Sequence, residues 1–143
     1  MKKFALLAIL AVVALVGAGQ AAGAPSKSNK CQPHKVSYDV HGKLVSGSLT
    51  KNSDKTWSGT LAVHVNRTNK HAKSQKGTDQ TYNLDHVKGK VGKGEDPSAL
   101  TPDSRVEVQG KITKLAKKCD QTGFTPTVTV KHFVVKAPKK AKS

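Results

Sequence analysis

Three sets of side chains in this sequence could do chemistry: two cysteines, six histidines and a large excess of lysine. Cys31 and Cys119 are the two thiols. In an oxidising compartment they would pair with each other. The bond would close a loop of roughly 90 residues, which the chain-entropy model values at about 4–5 kcal/mol. A metal-binding pair would need further ligands at metal-site spacing, and the sequence offers none. The histidines are His34, His41, His64, His71, His86 and His132. No two stand at the short intervals of a metal motif. His41 and His64 fall on facing arms of an expected hairpin, both outward, and are the pair that could meet. Exposed surface histidines are the simpler expectation, so no metal and no cofactor are assigned. Catalysis has little to draw on. There is no Gly-x-Ser-x-Gly elbow and no phosphate-cradling glycine loop. Asp39, Asp54, Asp85, Glu107 and Asp120 are scattered, none beside a convincing carboxylate partner. No catalytic residue is assigned, and the chain is not expected to be an enzyme.

The charge is the strongest functional signal. The chain holds 25 Lys+Arg against 9 Asp+Glu, a formal net charge of +16. Removal of Lys2 and Lys3 with an N-terminal leader lowers this to +14. Such a field attracts polyanions and steers them in. The expected contacts are Arg67, Lys70, Lys73 and Lys76 in one loop, Lys111, Lys114, Lys117 and Lys118 further along, and Lys136, Lys139 and Lys140 at the end. Arg67 and Arg105 are the two arginines. Arginine makes the planar bidentate contacts that read guanines and defined phosphates, whereas lysine acts as a point charge. The expected partners are therefore anionic polymers or surfaces, such as a cell-wall polymer or extracellular nucleic acid, with no particular DNA sequence. The alternative is a protein- or small-ligand-binding barrel whose lysines serve solubility alone. Base stacking would require exposed aromatics. Beyond the leader there are Tyr38, Trp57, Tyr82, Phe124 and Phe133, several at core-phased positions. Trp57 could be a plug in the core or an exposed platform.

These groups must be positioned by one domain, since the length suits one and not two. Residues 1–23 read as a signal peptide: Lys2 and Lys3, an unbroken apolar run over 4–16, then small residues to Gly23. The run is too short to span a bilayer. The expected protein is a secreted or cell-envelope bacterial protein, monomeric, with no transmembrane anchor after cleavage. Residues 24–33 form a polar lead-in, 34–136 the domain, and 137–143 a lysine-rich disordered tail. Within the domain the apolar period is two. Val36, Tyr38 and Val40 start a long first strand that runs to Leu49, with Gly42 and Gly47 marking bulges or bends. Residues 51–55 turn the chain into a second strand with Trp57, Leu61, Val63 and Val65 inward. The stretch 66–79 reads as a solvated loop. Tyr82, Leu84 and Val87 mark a third strand. Asp96-Pro97-Ser98-Ala99-Leu100 can form one helical turn, since Asp caps and Pro suits the first helical position. Val106, Val108 and Ile112 mark a fourth strand. In the fifth, Val128, Val130, His132 and Val134 face one side, with Phe133 and Val135 on the other.

The expected fold is all-β: five strands, a long bent first strand, and one short helical turn between strands three and four. The segment Leu100-Thr101-Pro102-Asp103-Ser104-Arg105-Val106-Glu107-Val108-Gln109-Gly110-Lys111-Ile112 resembles the fourth strand of small exported bacterial OB-fold-like domains. The resemblance covers roughly 35–136 and implies a five-stranded Greek-key barrel. It implies no functional residue. In such a barrel the first and fourth strands pair antiparallel. Cys31 precedes one and Cys119 follows the other, so the topology would bring the thiols together.

Overall fold

A computed structural model describes residues 31–140. The leader 1–23, most of the lead-in and the last three residues lie outside the described region. Five strands form: β1 His34–Lys51, β2 Trp57–Thr68, β3 Asp79–Val91, β4 Arg105–Lys114 and β5 Val128–Lys136. They pair in the order β1-β2-β3-β5-β4, and the sheet closes on itself. The sheet is mixed, because β3 and β5 run parallel while the other pairs are antiparallel. No helix among the described residues is long and apolar enough to cross a membrane.

Closure depends on β1. Its first part, from His34 to Lys43, pairs with β4, and from Val40 onward it pairs with β2. One strand can serve both neighbours only if it bends, and two register shifts in the β1–β2 pair accommodate the bend. The first falls between His41 and Gly42, where the spacing predicted a bulge. A Cβ on Gly42 would lie 2.1 Å from the His64 carbonyl oxygen, so the close approach of β2 requires glycine there. The second falls between Leu44 and Ser46, ahead of Gly47. It leaves Val45 as the extra residue, turned outward and 47% exposed.

The core fills the ring from every strand, with Tyr38, Val40, Leu61, Val63, Val65 and Val108 essentially buried. In β5 both expected faces are partly right. Phe133 and Val135 are fully buried, while Val128 and Val130 pack partly against the core. A register shift between Gln109 and Gly110 leaves Lys131 unpaired in β5 and reverses which residues point inward.

The helical turn expected between β3 and β4 does not form. Asp96 does cap, its carboxylate accepting from the Ser98 backbone N–H at 2.9 Å. Ala99 N–H closes a single turn on the Asp96 carbonyl at 3.1 Å, but the donors after it leave the turn. Leu100 N–H bonds the Gly47 carbonyl of β1 at 3.3 Å, and Thr101 N–H bonds the Glu95 carboxylate at 2.9 Å. The Pro97 carbonyl is taken by Leu49 N–H at 2.7 Å. Backbone groups that a helix would use internally are committed to β1, and Leu100 is buried beside Gly47. The described 3-10 turn lies instead at Lys73–Gln75, between β2 and β3.

Candidate functional site

The β2–β3 loop is anchored to the ring far more firmly than its polar composition suggests. Asn69 ties it to β1: its backbone N–H donates to the Asp39 carbonyl and its side-chain amide to the Ser37 carbonyl, both at 2.9 Å. The Asn69 side-chain oxygen accepts from the N–H groups of His71 and Ala72, each at 3.1 Å. Ala72 is buried. Inside the ring the Tyr38 and Tyr82 hydroxyls meet at 2.6 Å, and Tyr38 donates onward to the Gln75 side-chain oxygen of the loop. Burial pushes both phenols above their usual range. They therefore stay protonated and serve as hydrogen-bonding links. The loop expected to be merely solvated thus caps one end of the ring, and the cap holds Lys70 and His71 in place.

The second wall at this end comes from the β4–β5 connection. Cys31 and Cys119 are disulfide-bonded, with Cα atoms 5.5 Å apart. The antiparallel pairing of His34 with Lys114 brings the segments before β1 and after β4 together, as the sequence predicted. Gln121 braces the loop by donating to the Ala116 and Cys119 carbonyls, both at 3.1 Å. Between the two loops lies an open cleft of about 750 Å³. Lys70, Lys114, Lys117, His34, His71 and Gln121 supply its polar lining, and Val36, Leu115 and Phe124 are among its apolar residues. Among the described residues no carboxylate lines it. The His71 imidazole is held below its ordinary pKa, first by desolvation and then by the charges of Lys70, Lys114 and His34. Desolvation is the larger cause, and the neighbouring cations add to it.

The eleven basic residues singled out from the sequence therefore separate. Lys70, Lys114 and Lys117 converge on this cleft. Arg67 and Lys136 line a different one, of about 430 Å³, together with Arg105, Lys43, His41 and Glu107. Lys73, Lys76, Lys111, Lys118, Lys139 and Lys140 are exposed and line neither cleft. His34, His71 and Phe124 belong to the first cleft and were missed. The adjacency of His71 to Lys70 was the one signal for them. His41 and His64, the pair that could have met, do not. His64 lies opposite Lys43 and its Nδ1 bonds Asp79 at 2.6 Å, while His41 lies opposite Arg67 and faces Asp39 and Glu107. Trp57 is buried as a plug: its indole N–H donates to the Gly89 carbonyl at 3.2 Å and its ring meets Phe133 edge-on. The outer face of β2 and β3 presents Thr60, His64, Thr81 and Asn83, with no aromatic platform among them.

The fold and the cleft define a class: a small closed all-β domain whose one end carries a disulfide-braced cationic cleft. No protein-family model, no curated protein and no solved structure matches the chain.

Proposed function

We propose that the protein is an exported, non-catalytic module of OB-fold type that binds polyanions in the cleft at the disulfide end. The observation that carries this reading is the convergence of Lys70, Lys114, Lys117, His34 and His71 around one cleft with no carboxylate among its described lining residues. The strand order supports the OB assignment, as do the first strand shared between β2 and β4 and the parallel β3–β5 pair. The β4–β5 loop, which supplies Lys117 and Phe124, is one of the loops with which OB-folds hold oligonucleotides and oligosaccharides. The outer face of β2 and β3 carries no aromatic platform, and Phe124 is the one Phe, Tyr or Trp among the described residues lining the cleft, which favours a charge-driven contact over extended base stacking. A disulfide agrees with an extracellular or cell-envelope location. The alternative, a barrel that captures a protein or small apolar ligand, needs a contiguous exposed apolar patch. Among the described residues the large hydrophobic that stands exposed is Val45, and the apolar residues of the cleft, Val36, Leu115 and Phe124, share it with five basic side chains.

The test is binding of the oxidised protein to single-stranded DNA and to polyphosphate across a salt series, with and without residues 137–143. Binding should survive near-physiological salt and loss of the tail. The triple substitution Lys70→Gln, Lys114→Gln, Lys117→Gln should flatten the log–log salt slope on single-stranded DNA by about 2, at roughly 0.7 per phosphate contact. Binding that disappears in modest salt, or with the tail, would make the charge merely adhesive.

The same cleft predicts a pH dependence. A bound anion would offset the neighbouring lysines and raise the His71 pKa, so binding takes up a proton. Affinity should rise as pH falls through the imidazole range, and His71→Gln should reduce that rise. A pH-independent affinity between about pH 7.5 and pH 5 would place the anion away from His71.

A further inference from the structure

On the outer face of the closed sheet, away from the disulfide end, the adjacent strands β1 and β4 place a compact set of metal-ligating side chains. In the β1–β4 register His41 stands opposite Glu107 and Asp39 opposite Gln109. One donor atom each from Asp39, His41 and Glu107 lies within 4.8 Å of the other two. His41 Nε2 is 3.2 Å from Asp39 Oδ1, and His41 Nδ1 is 3.9 Å from Glu107 Oε2. We propose that Asp39, His41 and Glu107 form a binding site for a divalent transition-metal ion of the Zn2+ type.

The acids elsewhere are committed to other work. Asp54, Asp96 and Asp120 each accept from a backbone N–H two residues on, and Glu95 holds Thr101 and Ser104. Asp79 and Asp85 each bind one histidine, and Asp103 pairs with Lys43. Asp39 and Glu107 are the two carboxylates that converge on a shared group. Asp39 Oδ1 is also buried with no hydrogen-bond partner. Its contact with His41 lacks hydrogen-bond geometry, so the imidazole does not satisfy it. The Asp39 side chain as a whole is 38% exposed, so Oδ1 is the shielded, unbonded part of a carboxylate that otherwise meets solvent. Two donors about 2.1 Å from one tetrahedral ion sit about 3.4 Å apart, close to the spacing between His41 Nε2 and Asp39 Oδ1. Imidazole with carboxylates suits Zn2+ and its neighbours better than Mg2+ or Ca2+, which prefer all-oxygen shells. Gln109 donates to Glu107 at 2.5 Å and orients it, as a supporting residue does for a metal-binding carboxylate. His41 and Glu107 line the smaller cleft, so a water or small anion could reach the ion there. The cost of the site is repulsion from Arg67, Arg105 and Lys136, which line the same cleft.

The test is a titration of the chelator-stripped, oxidised protein with Zn2+ against a chromophoric competitor, in buffer free of polyanions. The full chain should bind a single Zn2+ at this site. Asp39→Asn, His41→Gln and Glu107→Gln should each weaken it at least about tenfold while keeping the circular dichroism of the parent. His64→Gln, which removes a comparable exposed His–Asp pair, should leave affinity unchanged. Arg105→Gln, which removes repulsion, should tighten it severalfold. If one of the three ligand variants fails to fold, the other two decide. Absence of saturable Zn2+ binding would overturn the proposal and leave an ion pair. Equal affinity in His41→Gln and Glu107→Gln would overturn it too.

Discussion

Replacing Cys31 and Cys119 by serine should destabilise the protein by about 4–5 kcal/mol and weaken the proposed polyanion site at the same time. The residues are 88 apart in sequence, so the bond removes a large share of the unfolded chain's freedom. The native topology already brings the two ends together through the pairing of His34 with Lys114. The bond therefore stabilises an arrangement the sheet imposes. The local consequence is separate. Cys119 lies in the loop that supplies Leu115, Lys117, Gln121 and Phe124 to the cleft. Without the bond, one wall is held mainly by the Gln121 contacts and the Cys119 N–H to Ala116 carbonyl bond of 2.9 Å. Thermal melts with and without reductant measure the first effect, and about 4–8 °C per kcal/mol makes it large. Polyanion affinity at a temperature where the variant remains folded measures the second. An unchanged melting temperature would contradict the entropic account. Unchanged affinity would mean that the cleft wall does not need the bond.

Much of this arrangement was legible because alternation is a strong signal. Tyr38, Val40, Leu61, Val63, Val106 and Val108 were phased inward by period two, and all are buried. The pairing of the first and fourth strands carried the disulfide with it. What the period could not give was its own interruptions. A bulge is one extra residue, and nothing in Thr129-Val130-Lys131-His132 marks where the inward face changes over. The helical turn was misread for a related reason. Asp96-Pro97 is a sound local start, but the backbone groups of Pro97 and Leu100 found partners in β1, which lies far away in sequence. Local propensity gave way to tertiary pairing.

The candidate site was legible in composition but not in grouping. Eleven basic residues were picked out by density along the chain, and density does not select those that share a surface. Lys70 and Lys114 meet because a loop anchored by Asn69 folds over the start of β1, where His34 already stands beside Lys114. His71 was read as an exposed histidine in a solvated loop. The Asp39–His41–Glu107 group needed the exact β1–β4 register. The antiparallel pairing was expected, but no spacing in the sequence sets His41 opposite Glu107 in preference to its neighbours. The histidine pair singled out does not meet because the β1–β2 register sets His64 opposite Lys43 and His41 opposite Arg67.

Phe133→Ala should destabilise the fold by about 3–5 kcal/mol, the usual range for removing a buried aromatic ring. Phe133 is fully buried on β5, opposite Gly89 in the parallel pair with β3. Its ring occupies the space a side chain at position 89 would take: a Cβ on Gly89 would lie 2.2 Å from Phe133 Cε1. The ring also meets Trp57 at 6.5 Å, edge to face, while Trp57 donates to the Gly89 carbonyl. Glycine, phenylalanine and tryptophan thus form one packing unit where the parallel pair helps to close the sheet. Gly89→Ala alone should cost about 1–3 kcal/mol, because the ring must move within a filled core. Introduced after Phe133→Ala, the same change should cost far less, because the ring it would strike is gone. The double-mutant cycle should therefore show strong coupling in stability, well beyond the scatter of independent sites. Trp57 is the single tryptophan, so its fluorescence reports the same event. Its emission should shift to the red in Phe133→Ala as water reaches the indole. Additive costs, or a Phe133→Ala effect below about 1 kcal/mol, would mean that the sheet closes without this unit and that the β3–β5 pairing has another support.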